Sequence, residues 1–185
     1  VGREVFLDFE RKPCTPGETL LKVENLEVED RLGVKVVKDI SFELRAGEVL
    51  GIAGVDGNGQ IELSEAITGL IPYSKGKIYV NGQEQQKINP RKLLEEGLSH
   101  IPQDRQKTGL VLDFTISENL ILQEFYTSNY SKNGILKQEA IRSHGEEMIQ
   151  DFQIKAADSG VIAKTLSGGN QQKIILAREL DRKPK

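Results

Sequence analysis

Residues 48–53 (Glu-Val-Leu-Gly-Ile-Ala) form a nearly all-apolar run that feeds without a spacer into Gly54-Val55-Asp56-Gly57-Asn58-Gly59. A short apolar run bounded by turn residues reads as a strand buried on both faces, the kind that fills parallel sheets. Residues 61–68 then read as a helix, stopped by Gly69. Strand, glycine loop and helix in that order commit the region to an α/β fold. Glycines let backbone N–H groups close around an anion at a helix N-terminus, and Gly-x-x-Gly-x-Gly in this setting is the context of a phosphate loop. The glycine spacing is wrong for a dinucleotide-binding turn, and no acidic residue ends a second strand about 20 residues on.

Three side chains set the chemistry of this loop. Gln60 stands where a phosphate-binding lysine is needed, and a neutral amide does not neutralise β- and γ-phosphate oxygens. Ile61 stands where a Ser or Thr hydroxyl is needed for Mg2+, and an alkyl chain offers a hard cation no oxygen. Glu62 puts a carboxylate into the first helical turn, which suits the helix dipole and repels phosphate. Two readings of Glu62 stand: a built-in anion for this helix end, or a favourable first-turn residue. With Gly54, Gly57, Asn58, Gly59, Gln60, Ile61 and Glu62 as its lining, the loop is expected to hold nucleotide weakly and to hydrolyse little or none of it. No metal ligand and no catalytic residue is assigned to it.

The flanking segments are simpler to read. Residues 1–18 read as an extended leader and linker punctuated by Pro13, Pro16 and Gly17, with Cys14 an incidental thiol. Leu21, Val23, Leu26 and Val28 mark a strand over 20–29, and Val36, Val37, Ile40 and Phe42 mark another over 36–44, together an antiparallel lobe. Residues 70–83 predict a hairpin, with Lys75-Gly76 and Asn81-Gly82 as its turns. Asn89-Pro90 starts a short helix ended by Gly97, and residues 98–102 predict a further strand. Residues 115–152 read mostly as helix, interrupted over 126–134, with Ile141, Met148, Ile149 and Phe152 on its apolar face. His100 and His144 are expected to be structural.

Composition removes several function classes. Lys and Arg number 25 against 28 Asp and Glu, a net charge of −3, so there is no electrostatic footprint for nucleic acid. No apolar stretch approaches the roughly 18 residues of a membrane span, and the first residues do not form a signal peptide. A lone cysteine excludes an internal disulfide and suits the cytosol. The chain does not open on Met, and it stops directly after a helix where an α/β fold would run on into a buried strand. It is therefore expected to be a piece of a longer polypeptide.

A second glycine-rich stretch lies near the end. Leu166-Ser167-Gly168-Gly169-Asn170-Gln171-Gln172-Lys173 leads into the helical run Ile174-Ile175-Leu176-Ala177-Arg178. The glycines expose N–H donors and the helix end adds its positive dipole, a surface suited to phosphate. By itself the stretch also fits an ordinary Ser-capped helix after a Gly-Gly turn. Taken with the loop at 54–62, it resembles the signature motif of ABC-type ATPases in the form typical of sugar and nucleoside importers. The resemblance runs over about residues 20–180. It implies a P-loop NTPase-like fold over 19–185, an antiparallel β lobe, and a helical subdomain at about 115–165. Within the family the chain looks like the second, degenerate nucleotide-binding domain of a two-domain importer subunit. Gly51-Ile52-Ala53 before the loop and Ile101-Pro102-Gln103-Asp104-Arg105 after it resemble the nucleoside-import branch.

Several expectations follow from that resemblance alone. Gln103 falls at the Q-loop position, which joins the core to the helical subdomain. Ser167, Gly168, Gly169, Asn170 and Gln171 would complete the ATP site of another nucleotide-binding domain of the same polypeptide, with Mg2+ held mainly there. Transmembrane permease subunits would be the mechanical partners, docked on the helical segment at the cytoplasmic face of the membrane. Two departures stand out: there is no aromatic between Phe9 and Phe42 to stack adenine, and the Walker B strand and switch histidine would lie after Lys185. A non-catalytic scaffold and an ABC ATPase outside transport remain the alternatives.

Overall fold

The computed structural model describes residues 15–185 apart from Arg31, Asp56 and Lys87; Cys14 and most of the expected leader lie outside the described residues. The chain divides into two compact units, Val1–Lys87 and Ile88–Lys185.

Among its described residues, the first unit is a four-stranded antiparallel sheet with one helix. Strands β1 (Thr19–Glu29), β2 (Lys35–Arg45), β3 (Lys75–Val80) and β4 (Gln83–Glu84) lie in the order β2-β1-β3-β4. Helix α1 (Gln60–Ile67) packs Leu63, Ala66 and Ile67 inward. The core is Val23, Leu26 and Val28 from β1, Val37 from β2, and Ile78 and Val80 from β3. The inward residues of β1 change parity between Val23 and Leu26. A bulge at Asn25 accounts for this: its φ is +48°, its N–H donates to Ser41 Oγ at 2.8 Å, and its Nδ2 donates to Asp39 Oδ1 at 2.8 Å. Gly76 is correspondingly a strand residue of β3 and not part of a turn. Its φ is +104°, and a Cβ there would lie 2.6 Å from both Glu24 O and Asn25 O. Only glycine lets β3 lie against the bulge. Asn81 and Gly82, both at positive φ, form the expected β3–β4 turn.

The second unit is helical. Helix α2 (Pro90–Glu95) starts at Asn89, whose side chain accepts the Arg91 N–H, as the Asn-Pro pair predicts. A π turn follows at Arg105–Gly109, then α3 (Ile116–Leu120), a short hairpin of β5 (Ser131–Lys132) and β6 (Ile135–Leu136), α4 (Gln138–Asp151) and α5 (Gly168–Asp181). The capping box Thr115–Glu118 starts α3. Its core gathers Leu110, Ile116, Leu120, Met148, Ile154, Ala163, Ile174 and Ile175. Among the described residues no helix is long and apolar enough to cross a membrane.

Three sequence expectations are corrected. Residues 48–53 and 98–102 are not strands: neither joins a ladder, and Val49 is 96% exposed. A strand buried on both faces draws its hydrogen bonds from neighbours, and no described strand lies alongside either segment. The helical region is also broken further than expected, over 121–137, because α3 ends after a single turn and the chain folds into the β5–β6 hairpin.

Candidate functional site

In the first unit the phosphate loop is shaped by its glycines. Gly57 has φ +82° and Gly59, which precedes α1, has φ +88°. Gly59 is buried, and a Cβ there would lie 2.5 Å from Val36 O, so it seats the loop against β2. A cleft of about 520 Å³ opens between the loop and β2, lined by Lys35, Lys38, Gly54, Gly57, Asn58 and Gln60 among others. Gln60 folds back over Gly54 so closely that a Cβ there would overlap its amide, and its Nε2 donates to Val55 O at 3.4 Å. The amide therefore occupies the loop instead of reaching outward. Ile61 is 42% exposed and brings no oxygen, and Glu62 sits half-buried in the first turn of α1. These residues do not fit a Mg2+–phosphate group: the cationic and hydroxyl ligands are replaced and the cradle is partly filled by the protein's own side chain.

In the second unit the signature stretch is arranged differently. Ser167 precedes α5, yet its hydroxyl makes no capping bond to the helix backbone; its Oγ accepts from Asn170 Nδ2 at 3.0 Å. The N–H groups of Gly168, Gly169 and Asn170 belong to the first turn and have no intrahelical acceptor. Ser167 and Gly169 are exposed. Asn170 Oδ1 accepts the Lys155 N–H at 3.0 Å, and Lys173 Nζ donates to Gln153 O at 2.6 Å, so the preceding loop is tied to α5. First-turn N–H groups at a helix N-terminus are the donor type that anions use.

Gln171 is placed otherwise than the sequence suggests. It is 2% exposed and turned inward: its Nε2 donates to Ala163 O at 3.1 Å and its Oε1 accepts from Gln106 Nε2 at 3.0 Å. Both ends of the amide are used within the chain, so Gln171 holds a loop, not a ligand. Gln103 lies in an exposed bend directly before Asp104. Asp104 Oδ1 accepts the N–H groups of Gln106 and Lys107 at 2.9 and 3.0 Å and starts the π turn. Those backbone donors hold its carboxyl below the usual carboxylate range. A lowered value means the turn is fully held above the ordinary Asp range, near pH 4, and is released as pH falls through the lowered value. The Gln106 and Lys107 amide resonances are expected to keep their NMR shifts down to about pH 4 and to move only below it.

Sequence reading did not find this turn, although an Asp can start one by accepting the backbone N–H two residues on, as Asp104 does from Gln106. It also missed a buried charge cluster on α5. Glu179 is fully buried; its Oε1 accepts from Arg178 Nε at 3.1 Å and from Gln123 Nε2 at 2.8 Å, and Arg182 Nη1 lies 3.6 Å from its Oε2. Arg178 and Arg182 flank Glu179 at i−1 and i+3, but the burial of the group and its bond to Gln123 follow from the fold. His144 packs against the Tyr130 ring, centroids 5.4 Å apart, with its Nε2 3.5 Å from Asp181 Oδ2. Burial pushes the Tyr130 hydroxyl up to about 12.

The fold and this pair of glycine-rich stretches define the class of protein. The sequence model of the ABC transporter family matches residues 37–185, and the chain belongs to that family as an ATP-binding domain. It is 46% identical over 184 residues to the guanosine import ATP-binding protein NupO of Bacillus subtilis. It is 42% identical over 184 residues to the nucleoside import ATP-binding protein NupA of Lactococcus lactis. Each match takes in 100% of this chain and 36% of the relative, so the chain spans about a third of the length of these relatives. Among solved structures it is similar to a dimeric ATP-binding cassette bound to ADP and Pi, with a TM-score of 0.68 at 21% identity, over 89% of this chain and 71% of that one.

Proposed function

We propose that this chain is a degenerate nucleotide-binding domain of a nucleoside or sugar importer, and that it serves ATP hydrolysis in trans. The carrying observation is the contrast between its two phosphate-type surfaces. The loop at 54–62 has lost its cationic and hydroxyl ligands and is partly filled by Gln60. The end of α5 presents the Ser167 hydroxyl and first-turn N–H groups outward. Preorganised donors of this kind stabilise charge on a transferring phosphoryl group. In this reading Ser167, Gly168 and Gly169 hold the terminal phosphate of an ATP whose remaining ligands, and whose Mg2+, belong to a partner nucleotide-binding domain of the same polypeptide. Closure around that ATP drives transmembrane permease subunits at the cytoplasmic face. The relatives named for guanosine and nucleoside import support nucleosides as the cargo.

Gly168→Asp in the full parent subunit, reconstituted with its membrane partners, tests this. The substitution sets a carboxylate where phosphate is held and leaves the loop at 54–62 untouched. ATP hydrolysis is expected to fall by about a hundredfold or more. Unchanged hydrolysis in a folded variant would make the domain a scaffold.

A further inference from the structure

We propose that Arg105 is a further phosphate ligand at the signature, and that Gln106 is the positioning residue that puts it there; this rests on the trans-site reading above. The Arg105 guanidinium lies on Gly168: a Cβ at that glycine would be 2.6 Å from its Nη2, 3.1 Å from its Cζ and 3.3 Å from its Nε. Arg105 is exposed and forms no ion pair among the described residues. The nearest acid in sequence, Asp104, is committed to the N–H groups of Gln106 and Lys107, with Lys107 Nζ 3.9 Å from its other oxygen. Arg105 adds to the lowering of the Asp104 carboxyl without pairing with it, and its guanidinium has been placed at the positive end of a helix dipole, where a cation is repelled. An anion between the guanidinium and the first-turn N–H groups removes the conflict. An arginine fork suits phosphate oxygens in two-point contact.

The placement is built and not incidental. Gln106 Nε2 donates to Oε1 of the buried Gln171, one residue past Asn170, and Gln171 is itself tied to Ala163 O. At the far end of the turn, Arg178 Nη1 donates to Gly109 O at 2.9 Å. A side chain at Gly109 would meet Ile175 Cδ1 at 2.5 Å, so the turn lies directly on α5. Arg105 sits between Asp104 and Gln106, within a segment clamped on both sides.

The test uses the parent subunit with its membrane partners and compares Arg105→Gln, Arg105→Lys, Gln106→Leu and Gly168→Asp. Arg105→Gln is expected to lower kcat/KM for ATP by about tenfold to a hundredfold, the loss of one charge-assisted contact, and to weaken trapping of ADP with orthovanadate in parallel. Arg105→Lys keeps the charge without the fork and should recover part of that loss. Gln106→Leu should lose part of the activity, and adding Arg105→Gln to it should cost less than Arg105→Gln alone, because the two act as one unit. Arg105→Gln and Arg105→Lys should keep the parental melting temperature, since Arg105 is exposed, whereas Gln106→Leu leaves the buried Gln171 Oε1 without its donor and should melt lower. Parental kinetics for Arg105→Gln beside an inactive Gly168→Asp would overturn this assignment and leave the trans site standing. Parental hydrolysis in both would overturn the trans-site reading itself. Should Arg105→Gln fail to fold, Arg105→Lys decides: a parental kcat/KM overturns the assignment and a reduced one supports it.

Discussion

Glu179→Ala is expected to destabilise the protein by about 3–5 kcal/mol, the cost of leaving buried cations without their counterion. Glu179 is 0% exposed and Arg178 6%, so neither charge can be rescued by water. The carboxylate takes hydrogen bonds from Arg178 Nε and Gln123 Nε2 and lies 3.6 Å from Arg182 Nη1. Removing it strands Arg178 in the interior and frees Arg182, which also donates to Gln123 Oε1 at 2.9 Å and to Leu94 O at 2.6 Å. Through Ser99 Oγ, which donates to Glu179 O, and Arg178, which donates to Gly109 O, the cluster ties α5 to the segments around 94–109. Urea unfolding of wild type and variant measures the loss. Arg178→Met combined with Glu179→Leu should recover a good part of it, because a pair of apolar residues removes both desolvated charges together. If Glu179→Ala unfolds at the wild-type midpoint, the cluster contributes nothing to stability.

Gly76→Val is the second large effect, expected at about 3 kcal/mol or more. Two costs combine: a β-branched residue at φ +104° is strained by about 1–3 kcal/mol, and its Cβ meets backbone atoms that cannot step aside. Glu24 O, Asn25 O and Leu26 Cα all lie 2.6 Å from the Cβ position, so the bulge in β1 and the β1–β3 ladder would have to separate. Gly82→Ala provides the comparison. Its φ is +76°, but nothing lies within 4 Å of its Cβ position, so it should cost only the backbone term, about 1–2 kcal/mol. Thermal melts of the two variants separate crowding from conformational strain. A Gly76→Val protein melting like Gly82→Ala would show that β3 is not held against the bulge.

Both predictions rest on burial and on contacts distant in sequence, and the contrast with what was legible is physical. Local rules were sufficient where an element is stabilised by residues a few positions apart. The Asn89-Pro90 start of α2, the Asn81-Gly82 turn and the glycine-rich approach to α5 are of this kind. The family likeness rests on the same short stretches, and the match over residues 37–185 agrees with it. That Gln60 and Ile61 bring neither a cation nor a hydroxyl was equally plain, because it follows from side-chain identity.

By itself, then, the sequence determined the α/β class, the antiparallel lobe and the helix starts. Tertiary structure decided whatever depends on partners far along the chain. Residues 48–53 are apolar enough for a buried strand, yet a ladder needs a neighbour that apolarity cannot specify. The parity change at Asn25 depends on a glycine about 50 residues away in β3. Gln171 turned inward, and Arg105 came to lie on Gly168, because Gln106 reaches across 65 residues of sequence to close a hydrogen bond. Hydrogen bonds and charge pairs are satisfied by proximity in space, and proximity across 65 residues is a property of the packed fold alone.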